Sequence, residues 1–336
     1  MNTRVPQTPR TGRTHSLATP VLALATLLAC GPARASDNSN GGTAGAFLRV
    51  GSDARTLGIG NTGIAWPGGP ASRLNNPALV AWEESAAASL GMVSLSMDRS
   101  LNSVHAVLPL KPMGALGISW TGAGVGGIPE TTSWGETTGR DMAYAENSFS
   151  FGFGVKPGKA VALGISLAIN SAAFQQVTDG GGDIKANSAS FGAGLSLHPM
   201  DDWWGGLSLT NLMGTYEWDS GDLWGQDGEA RVENSTPSLF GVGLAHTLLD
   251  KHLLLCADYQ ASSEKAWDLR LGAEYSNHQG ENGDWAARAG YDSGNFSLGG
   301  GYGWQLRKVH IGLDYAVVIH QDDPSEIHAF NFNFGF

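Results

Sequence analysis

The chain has 336 residues, with 48 glycines, 11 tryptophans, 15% charged residues and a formal net charge of −11. An acidic balance without basic runs excludes nucleic acid as a partner. Low charge, abundant glycine and many aromatics suit short strands and tight turns better than helices.

Residues 1–35 read as a signal peptide. Arg4, Arg10 and Arg13 form a positive start, Ser16 to Ala29 is apolar, and Ala33 and Ala35 place small residues for cleavage before Ser36. The apolar run is too short, and carries Pro20, for a spanning helix. "LLAC" also resembles a lipoprotein signal with Cys30 acylated, so both readings stand. Simple cleavage leaves 16 basic against 31 acidic residues, with Cys256 alone and no intrachain disulfide. Residues 36–45 read as a flexible leader. Residues 46–84 show no sustained period of two, and Asn76 followed by Pro77 predicts an N-cap and a short helix to Trp82. This stretch reads as a separate plug element, ahead of a barrel over 85–336.

From residue 85 onward the chain alternates. Phe149, Phe151 and Phe153 interleave with Ser150 and Gly152; Leu163, Ile165, Leu167 and Ile169 interleave with Gly164, Ser166 and Ala168. About fourteen strands are predicted, at 86–96, 101–110, 113–121, 146–156, 159–171, 186–198, 202–212, 237–248, 251–261, 265–276, 284–292, 294–304, 307–319 and 326–336. Their length approaches what a membrane strand needs, and aromatics such as Trp120, Trp203, Trp204, Trp267 and Trp304 sit at their ends. Connections 110–114, 156–159 and 198–202 are short and carry proline, whereas 122–145, 172–185 and 213–236 are long. Sorting by parity is the outer-membrane pattern, and without spanning helices only a closed barrel satisfies the backbone in lipid. The fold class is therefore all-β: a transmembrane antiparallel barrel with an N-terminal plug. In the final "HAFNFNFGF", Phe330, Phe332, Phe334 and Phe336 face lipid, and Asn331, Asn333 and Gly335 face the lumen.

"GTAGAFLRVGSDART", "LGIGNTGIAW" and "ASRLNNPALVAW", within residues 42–82, resemble the N-terminal region of the PorV/PorQ-like proteins, a branch of the FadL-type outer-membrane barrels. The resemblance implies a plug motif of Phe47, Arg55, Asn75, Asn76, Pro77 and Ala78. It also implies one of two roles: docking exported cargo or secretion components in type IX-like export, as PorV-like members do, or passing small hydrophobic molecules through the barrel, as FadL-like members do. The first is the leading expectation and the second the alternative. "WPGGP" at 66–70 departs from the more polar run expected there. The terminal Phe332, Phe334 and Phe336 resemble the signal by which the barrel assembly machinery recognises its clients.

"GIGNTG" matches a dinucleotide fingerprint, but Pro67 and two glycines after it forbid the helix such a site needs. The loop from Tyr216 to Glu233 is acidic; it reads as a solvated loop, with Ca²⁺ binding as a rival, and Trp218 and Trp224 make it a candidate partner contact. No nucleophile elbow or zinc motif occurs and nine histidines are scattered, so neither enzyme, metal nor cofactor is expected. Asp268, Arg270, Glu274, Arg288, His310 and Asp314 share the lumen parity of nearby strands; they read as holding the plug or stiffening the wall, with guidance of solute as the rival role. Small inner residues such as Gly152, Gly164 and Gly192 make room for a plug or a solute.

Overall fold

The computed structural model describes residues 44–177, 181–219, 231–264, 267–277, 283–320 and 326–336. Sixteen strands follow a short helical segment. They are β1 (Ala87–Ser94), β2 (Ser100–Leu110), β3 (Gly114–Thr131), β4 (Thr137–Val155), β5 (Val161–Gln175), β6 (Ile184–Met200), β7 (Trp203–Leu212), β8 (Thr215–Asp219), β9 (Arg231–Ser235), β10 (Leu239–Leu248), β11 (Leu253–Ser262), β12 (Asp268–Asn277), β13 (Asp284–Asp292), β14 (Asn295–Leu306), β15 (Val309–Ile319) and β16 (Ile327–Gly335). All but β8 and β9 form one closed antiparallel barrel of fourteen strands. β1 closes onto β16 in the register Leu90 to Phe332 and Gly91 to Asn331, and Phe336 N–H donates to the Ala86 carbonyl at 2.9 Å. No edge remains unpaired around the wall.

Period-two patterning decides which face each side chain takes. Phe149, Phe151, Phe153, Leu163, Ile165, Phe330 and Phe332 are exposed on the outside, whereas Ser148, Ser150, Asn170 and Asn331 are buried inside. A continuous outward apolar belt belongs in hydrocarbon, as expected of an outer-membrane barrel. Among the described residues no helix is long and apolar enough to cross a membrane.

The connection expected at 122–145 is mostly strand, and strand also takes both ends of the one expected at 172–185. β3 and β4 pair out to Thr131 and Thr137, and β5 and β6 pair out to Phe174 and Ile184. Glycine and proline in "TGAGVGGIPE" blur the alternation there, but the ladder already running between two neighbours continues at little extra entropic cost. Two register shifts absorb the irregularity. Within the expected loop 213–236, β8 and β9 form a hairpin of their own. These extensions stand at the end opposite the short turns, which is the outer end in barrels of this kind.

The segment before the barrel carries two short α-helices, α1 (Phe47–Val50) and α2 (Ala54–Gly58), and two 3-10 helices, η1 (Ser72–Leu74) and η2 (Pro77–Trp82). Asp53 caps α2 by accepting from Thr56 N–H, and Asn76 caps η2 by accepting from Ala78 N–H. Phe47, Ala54 and Leu57 pack on the inward residues Val93, Leu101, Ala316, Val318 and Ala329. The backbone runs so close to the wall that a Cβ at Gly164 would lie 2.3 Å from the Pro77 carbonyl carbon, and one at Gly290 would lie 1.9 Å from Gly60 N. The segment therefore fills the lumen in contact with the inner wall.

Candidate functional site

Two cavities flank this inner segment. The outer one, of about 90 Å³, lies among Ser52, Arg73, Ser148, Ser166, Ser190 and Arg270. The inner one, of about 310 Å³, lies among Arg55, Glu274, Trp285, Tyr302, His310 and Asn333. Asp53 and Ala71 line both, so the wall between the cavities is one residue layer thick there.

Charged groups fasten that layer. Arg55 Nε and Nη2 donate to Glu274 Oε2 and Oε1 at 2.8 and 2.7 Å. Glu274 also accepts from Arg288 Nε at 2.5 Å, Arg288 Nη1 donates to Asp314 Oδ1 at 2.6 Å, and Asn333 Nδ2 donates to Asp314 Oδ2 at 2.6 Å. One chain of hydrogen bonds thus joins α2 to β12, β13, β15 and β16. Burial opposes the Arg55 charge, but the Glu274 carboxylate outweighs it and holds the guanidinium above its ordinary pKa. Burial, and next the Asp314 carboxylate, push the Asp53 carboxyl up to about 6.

The remaining residues singled out in the sequence are distributed around this network. Arg270 pairs with Asp292 at 3.2 Å and reaches the Asn61 carbonyl at 3.4 Å. Asp268 accepts from Ser293 Oγ at 3.1 Å, and His310 lines the inner cavity without entering the ion chain. Asn76 Nδ2 donates to the carbonyls of Ile64 and Leu195, at 2.8 and 3.1 Å, tying two parts of the segment to β6. Asn75 lines the outer cavity, Phe47 is buried at the outer end of the lumen, and Pro77 and Ala78 lie against the β5 wall.

Trp218 does not project from its hairpin. It packs on Phe174, with ring centroids 5.4 Å apart, and belongs with Tyr144 and Tyr216 to an aromatic cluster inside the outer mouth. Trp224 and most of the acidic loop around it lie outside the described residues. Phe332 and Phe336 are exposed and Phe334 is half-buried near the closing seam. Cys256 is buried on the inner face.

Three further residues hold the inner segment, and sequence patterning did not select them. Asp258 Oδ2 accepts from Gly63 and Ile64 N–H at 2.7 and 3.0 Å. His105 bridges Ser52 Oγ and Ser119 Oγ at 3.1 and 2.6 Å. Arg73 Nη2 donates to Ser150 O and Oγ at 3.1 and 3.3 Å. Lumen parity is visible for Asp258 and His105, but a partner two hundred residues away is not.

One of the wall's register shifts borders the outer cavity. Between β6 and β7 the ladder passes from Phe191 against Leu212 to Ala193 against Leu209, leaving Gly192 opposite both Thr210 and Asn211. Phe191, an exposed side chain on the outward parity, lines the outer cavity at this bulge.

Neither the protein-family models nor the curated proteins contain a match to this chain. Solved structures do match. A FadL homologue from Pseudomonas aeruginosa superposes with a TM-score of 0.59 at 14% identity, covering 85% of this chain and 98% of that one. The toluene transporter TodX of Pseudomonas putida gives 0.57 at 14% identity, covering 85% and 96%. This chain has the FadL-type barrel fold. A further FadL-type match, the monoaromatic hydrocarbon channel CymD, gives 0.57 at 14% identity over 85% and 97%. At such identity the likeness concerns the fold, and the PorV/PorQ branch is not distinguished by it.

Proposed function

We propose that this FadL-type barrel is a passive outer-membrane channel for small, mainly apolar molecules. The observation that carries the reading is the bulge between β6 and β7, which interrupts the wall ladder where Phe191, Thr210 and Asn211 border the outer cavity. An apolar solute that passes the aromatic mouth meets the closed Asp53–Ala71 layer below and an apolar rim at Phe191 and Leu239 beside it. Leaving sideways into lipid spares it the ion network of the inner cavity, where desolvated charges disfavour apolar groups. The hydrocarbon channels with the same fold give the reading independent support.

The export-docking role expected first has less behind it. Trp218 spends its ring on Phe174 inside the mouth and presents no anchor to a cargo protein.

Uptake of labelled toluene into cells with and without the gene tests the channel reading. Expression raises the initial rate, and a disulfide pinning β6 to β7 across the bulge returns it to background. Equal uptake in expressing and deleted cells sinks it.

A further inference from the structure

At the outer mouth a second, smaller sheet ends in an open edge. β8 and β9 pair with each other, and among the described residues no third strand joins β9 on its far side. All five β9 residues, Arg231 to Ser235, are exposed. One face of the hairpin is already committed, because Tyr216 is buried and Trp218 packs on Phe174. The far edge and the opposite face meet solvent.

Register decides which backbone groups that edge offers. Thr236 N–H donates to the Gly214 carbonyl at 2.9 Å, and the next pair along is Thr215 with Ser235. Hydrogen-bonded and non-hydrogen-bonded pairs alternate along an antiparallel ladder. The bonded pairs are therefore Tyr216 with Asn234 and Trp218 with Val232. The N–H and C=O groups of Arg231, Glu233 and Ser235 point the other way, toward the open edge. Such a row is a template for another strand.

Charge on the same residues selects that strand. Glu217 stands directly opposite Glu233, in a non-hydrogen-bonded pair, the arrangement that brings side chains closest. Like charges so placed are destabilising, and both residues are exposed. The joining sequence adds Asp222, Asp227 and Glu229, and Arg231 is the only base between residues 215 and 235. A strand that sets a lysine or arginine beside Glu233 gains backbone hydrogen bonds and relieves this repulsion. A second copy of the chain fits less well, because antiparallel pairing of two β9 strands about their centres sets Glu233 against Glu233.

We propose that the free edge of β9 is a docking site for an extended cationic polypeptide segment, added as a third strand at the outer mouth. The proposal goes beyond the channel reading and does not rest on it, because no β9 residue lines either cavity.

Fluorescence anisotropy of dye-labelled octapeptides on the full chain in neutral detergent micelles tests it. The probes are an alternating lysine–threonine peptide, its glutamate–threonine counterpart, and the lysine peptide methylated at every backbone nitrogen, which keeps its charges and loses its donors. The lysine peptide saturates one site and binds at least about tenfold more tightly than the glutamate peptide, since attraction replaces repulsion at successive positions. The methylated peptide binds at least about tenfold more weakly than its parent, having lost its hydrogen bonds to the edge. Ser235→Pro removes an N–H from the open edge while sparing the β8 ladder and the charge, and Glu233→Lys reverses the charge at the centre of the strand; each weakens the lysine peptide several-fold. Equal binding of the lysine peptide and its methylated form, or unchanged binding in either variant, reduces the contact to diffuse attraction and overturns the proposal. Absence of saturable binding does the same, as does a protein dimer that Ser235→Pro dissolves, which assigns the edge to a second copy. If the variants do not fold, the three peptides on the unaltered protein still decide. Toluene uptake is read separately, so either idea can fail while the other stands.

Discussion

Arg55 and Glu274 lie 219 residues apart in the chain and meet in a two-point contact of 2.7 and 2.8 Å inside the barrel. The pair joins the capped helix α2 to the wall, and Glu274 relays the contact through Arg288 to Asp314.

Replacing Arg55 with Met removes both hydrogen bonds but leaves Glu274 paired with Arg288. The expected loss is about 2–4 kcal/mol of folding stability, less than for a carboxylate left wholly unpaired. Chemical denaturation in micelles checks the value. Amide exchange is expected to rise first in residues 53–71, and a uniform rise around the wall would contradict a local lock.

Asn76 carries three contacts: the η2 cap and the carbonyls of Ile64 and Leu195. Asn76→Ala forfeits the cap and strands two buried carbonyl acceptors, at about 2–4 kcal/mol together. Asn76→Asp keeps the cap but loses both donations. It also sets a fully buried carboxylate oxygen against both carbonyls, so it should melt below the Ala variant.

Asp53 has a carboxyl shifted from 3.8 to about 6. Between those values the folded protein holds a proton that the unfolded chain has released. The corresponding stability is fully present below pH 3.8 and is lost as pH rises through about 6, on the order of 3 kcal/mol in total. Asp53→Asn keeps a side-chain oxygen to cap α2 and has no proton to lose. Unfolding midpoints measured from pH 4 to 7 should fall for the unaltered protein relative to this variant. Parallel curves would show that Asp53 does not titrate in this window.

Phe336 closes the seam through its backbone N–H to Ala86 and leaves its ring exposed. Deleting it removes this seam contact and an exposed outward aromatic together, and the yield of heat-modifiable barrel in membranes should drop severely. Phe336→Ala keeps the backbone bond. If assembly depends on the ring, this variant fails like the deletion; normal yield would assign the effect to the seam alone.

The barrel was legible because a strand in a lipid-facing wall must alternate, and alternation is written locally. The segments containing Phe149, Phe151 and Phe153, or Phe330 and Phe332, show which face meets lipid without any knowledge of their neighbours. The parity of short and long connections supplied the direction. The extensions of β3 to β6 were missed because glycines and a proline break the pattern, while the ladder between paired neighbours continues past them. The sequence suggests an outward contact at Trp218, because its hairpin, and its fold back onto Phe174, depend on a strand some forty residues earlier.

The sequence by itself determined the wall: period-two segments, their approximate number, the face each presents, and a capped non-barrel segment ahead of them. These follow from backbone geometry and the polarity of adjacent residues. Only the tertiary structure decided what the lumen does. Arg55 finds Glu274, Asp258 receives Gly63 and Ile64, and Arg73 has no carboxylate partner among the described residues, because barrel closure sets which inward positions meet. An ion pair depends on distance across the lumen, and that distance is fixed by closure and register, not by spacing along the chain.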